Sequence, residues 1–123
     1  MSKILVVEDQ HRNMRLVEQI LTDISGQIEL VKASSGAEAL AAAKGDRFSL
    51  VLMDIALPDM DGIQITNVLR SYPQFHKVPF VAVTAYATSK EREDIGKVFN
   101  HYITKPIDEE VLVNIVNKYI AAK

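Results

Sequence analysis

The sequence predicts one doubly wound α/β domain, a parallel sheet with helices on both of its faces. Two observations carry that reading. Ile4–Val7, Leu50–Met53 and Phe80–Val83 are wholly apolar, with Ile28–Val31 a weaker fourth run, as befits short strands buried on both faces. Segments of helical periodicity fall between these runs. Such alternation builds parallel sheets with right-handed crossovers.

Each element has a local reason. The first strand, Ile4–Val7, ends in Glu8-Asp9. Val17, Ile20, Leu21 and Ile24 follow at i, i+3, i+4, i+7, the stripe of a helix packed on the sheet. After the Ile28–Val31 strand, Ser35-Gly36-Ala37-Glu38 has the form of a capping box and opens an Ala-rich helix over Ala37–Lys44. The third strand, Leu50–Met53, runs into Asp54, and Pro58 and Gly62 then turn the chain. Asp61 before Gly62-Ile63-Gln64 starts the third helix.

The fourth strand ends at Thr84-Ala85. Thr88-Ser89-Lys90-Glu91 opens a helix to about Val98, with Ile95, Val98 and Phe99 as its apolar stripe and Gly96 as the candidate for an early stop. Tyr102-Ile103-Thr104 is the fifth strand and leads to Lys105-Pro106. Asp108 caps the last helix, with Ile107 and Leu112 as a hydrophobic staple and Leu112, Ile115, Val116 and Tyr119 on one face. The five β-α repeats use up residues 1–123 as one domain, leaving no linker or low-complexity segment.

Composition narrows the function. At 48% hydrophobic and 24% charged residues, the chain buries a core and stays soluble. A net charge of −2 without a Lys/Arg run gives no basic surface for direct nucleic-acid binding. The absence of cysteine excludes disulfides, thiolate zinc sites and a Cys nucleophile. The first apolar run is too short for a signal peptide or a membrane span, so a cytoplasmic location away from the membrane is expected.

Ligands of doubly wound sheets bind beyond the carboxyl ends of the strands. That rim collects Glu8, Asp9, Asp54, Thr84 and Lys105. Three carboxylates repel one another unless a cation neutralises them, and an all-oxygen set favours a hard ion such as Mg²⁺. A lysine and a threonine opposite could then bind phosphoryl oxygens. Alone, Asp54 reads as a cap or turn former; grouped with the others, it reads as a site. Asp59 and Asp61 are explained as solvated loop acids or a helix cap. His11, His76 and His101 show no metal-binding spacing, and the Asp-Ile-Ala after the third strand lacks the second Asp of haloacid-dehalogenase-like phosphatases.

Glu8-Asp9, "MDIALPDMDG" at 53–62, "VTAYA" at 83–87 and "YITKP" at 102–106 stand in order at strand ends. Together they resemble the receiver domain of response regulators over essentially the whole chain. The resemblance implies a flavodoxin-like fold with strand order 2-1-3-4-5. It implies that Asp54 is the phosphoacceptor, and that Asp9, Asp54 and the Ala56 carbonyl bind Mg²⁺ with Glu8 acting through a metal-bound water. Lys105 and Thr84 then contact the phosphoryl group, Thr84 and Tyr102 form the switch, and Lys105-Pro106 is cis. Ala56 and Tyr86 take the positions flanking the phosphoryl group, so slow self-dephosphorylation is expected.

Partners implied are a histidine kinase or histidine phosphotransfer protein, and a downstream effector protein. Without an attached DNA-binding domain, output is expected through protein contact or onward phosphotransfer. The rival reading is a receiver-like interaction module independent of phosphorylation. The stretch Gly96–His101 departs from the family's Ala-Gly-rich turn, and the spacing from Thr84 to Lys105 is one residue short.

Overall fold

Aliphatic runs supply the strands. The computed structural model describes residues 2–24, 26–45, 47–85 and 88–120. It places β1 at Ser2–Val7, β2 at Ile28–Ala33, β3 at Leu50–Asp54, β4 at Phe80–Thr84 and β5 at His101–Thr104. All pairings are parallel, in the order β2-β1-β3-β4-β5, as the sequence predicted. Pairing lengthens the strands beyond their apolar runs: Ser2 and Lys3 register with Ile28 and Glu29, and Asp54 with Val83.

Helices α1 (His11–Ile24), α2 (Gly36–Ala43), α3 (Gly62–Arg70), α4 (Ser89–Val98) and α5 (Glu109–Ile120) alternate with the strands, and a short 3₁₀ turn spans Pro73–Phe75. Their starts are capped where the sequence indicated. Ser35 Oγ accepts from the Glu38 N–H at 3.1 Å, Asp61 Oδ1 from Ile63 at 2.7 Å, Thr88 Oγ1 from Glu91 at 3.1 Å and Asp108 Oδ1 from Glu110 at 2.9 Å. Each satisfies an N–H that has no partner within its own helix. The Glu38 carboxylate turns to Ser34 rather than to Ser35, taking its N–H at 3.2 Å and its hydroxyl at 2.7 Å.

Gly96 does not stop α4. The helix runs on to Val98, and the Phe99 N–H still donates to the Ile95 carbonyl at 2.8 Å. A glycine inside a helix costs about 1 kcal/mol, which the burial of Ile95 and Phe99 outweighs at roughly 1.5–3 kcal/mol per large apolar side chain.

Successive strand residues point to opposite faces, and each face has its own core. Leu5, Val7, Val51, Met53, Phe80 and Ala82 pack with Ala39, Ile65, Leu69 and Ile95 of α2, α3 and α4. Ile4, Val6, Leu50, Leu52, Val81 and Ile103 pack with Val17, Ile20, Leu112 and Val116 of α1 and α5. With both faces covered, polar chemistry is left to the sheet edges. Among the described residues no helix is long and apolar enough to cross a membrane.

Candidate functional site at the carboxyl edge of the sheet

Parallel strands in one register end together, and here they end in acid. Glu8 and Asp54 are buried, at 4% and 2% exposure, while Asp9 faces solvent. One carboxylate oxygen from each of Glu8, Asp9 and Asp54 lies within 4.8 Å of the others. The Lys105 ammonium sits between the two buried acids, 3.1 Å from Asp54 Oδ2 and 3.1 Å from Glu8 Oε1. Backbone N–H groups hold the remaining oxygens: Ala56 donates to Asp54 Oδ1 at 3.0 Å and Gln10 to Glu8 Oε2 at 3.0 Å. The structure thus brings Glu8, Asp9, Asp54 and Lys105, which the sequence sets at strand ends, into one cluster. Gln10 was not foreseen, because its contribution is a backbone group.

The electrostatics record the crowding. Burial pushes the Glu8 carboxyl up to about 7, with the Asp54 charge adding to the rise against the Gln10 N–H and Lys105. Burial also disfavours the Lys105 charge, but Asp54 and Glu8 outweigh it and hold the ammonium above its usual range. Two buried acids therefore share one cation, and the site gains from a further positive charge. Clustered oxygen ligands of this kind fit a hard divalent ion.

A cleft of about 440 Å³ opens over Asp54, lined by Asp9, Gln10, Asn13, Ala56, Ala85, Lys105 and Pro106. Thr84 is buried at the end of β4, and its carbonyl accepts from the Lys105 N–H at 2.7 Å. Tyr102 stands on β5 and is 44% exposed. The Lys105-Pro106 bond is cis, as the resemblance implied. Tyr86, named with Ala56 as a flanking residue, lies outside the described residues.

Gly62 explains how the strand end is braced. A Cβ there would come within 2.3 Å of the Asp54 carbonyl oxygen and 2.8 Å of Ile55 Cα. The first residue of α3 thus rests directly against the backbone of Asp54, and only glycine allows that approach. The sequence signal is a glycine directly after a capping Asp, a pattern that by itself indicates only a turn.

A five-stranded parallel sheet with paired acids and a lysine at its carboxyl rim defines a class of α/β signalling domain. The family profile of the response regulator receiver domain matches residues 4–117, and the chain belongs to that family, whose members work in two-component and phosphorelay signalling. It is 37% identical over 117 residues to the histidine-protein kinase BarA of Escherichia coli, covering 94% of this chain and 12% of the kinase. The chain thus spans about an eighth of that relative's length. It is 33% identical to the polar-differentiation response regulator DivK of Brucella anthropi, over 95% of this chain and 94% of that protein. Among solved structures, the receiver domain of sensor histidine kinase PA1611 from Pseudomonas aeruginosa superposes with a TM-score of 0.86 at 30% identity, covering 98% of each chain. That structure has a magnesium ion coordinated in its active-site cleft.

Proposed function

We propose that residues 1–123 act as one receiver unit, with Asp54 accepting a phosphoryl group from a phosphohistidine of a histidine kinase or histidine phosphotransfer protein. The observation that carries this reading is a buried carboxylate held on both oxygens, by Lys105 and by the Ala56 N–H, at the floor of an open cleft. Fixing the attacking group in this way removes much of the entropic part of the barrier. A carboxylate oxygen of Asp54 bonds to phosphorus as the phosphorus–nitrogen bond of the donor breaks. The imidazole leaves with that electron pair and takes up a proton.

Asp9, Asp54 and the Ala56 backbone carbonyl are the residues to hold Mg²⁺, with Glu8 acting through a bound water. When bound, the ion supplies positive charge that draws phosphoryl oxygens into an anionic cleft. Lys105 then shifts its hydrogen bonds from carboxylate to phosphoryl oxygen. The Thr84 hydroxyl donates to the phosphoryl group once it forms, and exposed Tyr102 follows it inward. The result is a bias between two states of the α4, β5 and α5 surface, read by an effector protein or ended by onward transfer. A cytoplasmic location suits these partners.

Intact mass after incubation with acetyl phosphate and Mg²⁺ tests the assignment. The parent should gain one phosphoryl group, only with the divalent ion, and Asp54→Asn should gain none. Equal gain in that variant would sink the reading. Thr84→Ala should still take phosphate while losing phosphate-dependent partner binding; undiminished binding would favour a static interaction module.

A further inference from the structure

The loop between β3 and α3 is anchored at its base and at its tip. At the base, the Gly62 N–H donates to the Ile55 carbonyl at 2.9 Å, and Ala56 bridges Asp61 in antiparallel fashion. At the tip, Asp59 reaches a different helix. Its Oδ1 accepts from the Gly36 N–H at 2.8 Å and its Oδ2 from the Ala37 N–H at 3.0 Å. Met60 packs beside it, so close to Gly36 that a Cβ there would lie 3.0 Å from the Met60 sulfur.

A carboxylate bound through both oxygens at a helix start is fixed in position and in orientation, and the helix dipole favours its charge. Yet α2 has its own cap in Ser35. The contact from Asp59, 23 residues away along the chain, does less to start that helix than to tie the loop to it. Ala56, held at the base and three residues before the tip, lies at the wall of the Asp54 cleft.

We infer that Asp59 is a positioning residue for the metal site: by clamping the β3–α3 loop onto the start of α2, it holds the Ala56 backbone carbonyl at the rim, ready to complete the oxygen set. This rests on the Mg²⁺ reading above. Asp59 itself touches neither the ion nor the phosphoryl group.

The test uses the whole chain, with Mg²⁺ titrated by calorimetry and phosphorylation by acetyl phosphate followed against Mg²⁺ concentration. Asp59→Ala should weaken Mg²⁺ binding by about tenfold, the lower end of the range for a support acting at one remove from a ligand. The Mg²⁺ needed for half-maximal phosphorylation should rise by the same factor, with the rate at saturating Mg²⁺ within about twofold of the parent. Asp59→Asn keeps one carbonyl acceptor and should fall between. Ser35→Ala separates this from simple loss of helix stability: it weakens α2 without touching the loop, and should lower Tm but leave Mg²⁺ affinity unchanged. Unchanged affinity in Asp59→Ala, or an equal loss in Ser35→Ala, overturns the inference alone. A parent that binds no Mg²⁺ overturns the metal reading beneath it.

Discussion

The two ends of the same sheet are built on opposite principles. At the amino ends of the strands, Phe48, Phe75 and Phe80 pack in a row with ring centroids 5.8 and 5.9 Å apart. The Arg70 guanidinium lies 4.4 Å over the Phe80 ring, and its Nε and Nη2 donate to the Val98 carbonyl and to Asn100 Oδ1, each at 2.9 Å. Asn100 in turn holds the Phe80 backbone, accepting its N–H at 2.9 Å and donating to its carbonyl at 2.8 Å. These bonds match donor to acceptor. At the carboxyl ends, two buried acids compete for one ammonium. Stability is concentrated at one edge, and unmet charge, the raw material of reactivity, at the other.

The largest effect should come from the apolar edge. Phe75→Ala should lose about 3–5 kcal/mol, the usual cost of deleting a buried ring, measured by urea unfolding. Phosphorylation of the folded fraction should proceed at the parent rate, and a specific loss there would show that the two edges are coupled. At the other edge, Lys105→Met leaves two buried carboxylates without their cation. A stability loss of about 1–3 kcal/mol is expected, below that of a fully buried pair because the lysine retains some solvent contact. A neutral result in unfolding experiments would mean that the rim is wetter than its geometry implies.

Ala56→Asn gives the cleft a side chain able to hold a water in line with the phosphorus–oxygen bond. Phosphate loss after donor removal should quicken by about three- to tenfold; an unchanged half-life would locate slow hydrolysis elsewhere. The smallest effect concerns Asp59, whose carboxyl the Gly36 and Ala37 N–H groups hold below its ordinary value of 3.8. Its folded pKa is depressed, so its contribution is present above that ordinary value and lost as pH falls through the folded one. Tm curves of parent and Asp59→Asn should therefore converge in acid and separate on returning to neutral pH. Parallel curves would show that the two N–H bonds favour the charged form no more than water does.

Much of this molecule could be read directly from its residues. Doubly buried strands announce themselves as unbroken aliphatic runs, and the caps Ser35, Asp61, Thr88 and Asp108 act within three residues of themselves. Contacts between distant segments were hidden. Gly96 reads as a stop because local propensity is all that a sequence window offers, whereas the end of α4 is held by Arg70 of α3, which binds the Val98 carbonyl and Asn100 just beyond it. Asp59 reads as a solvated acid or a cap, and its partners lie one β-α unit earlier in the chain. The site was legible for a different reason. Its members lie at or just beyond the ends of strands, so the topology that gathers the strands gathers the site as well.

Arg70 makes α4 a lever. With the Val98 carbonyl bound and Asn100 held between the guanidinium and Phe80, the carboxyl end of the helix is its pivot. Ten residues at about 1.5 Å each put Ser89 about 15 Å from that pivot, so a tilt of about 10° sweeps it through roughly 3 Å. The long arm points toward the Thr84 end of β4, which pairs with β3 beside Asp54. A protein gripping Ser89 and Lys90 would meet most of that sweep, and one gripping Lys97 almost none.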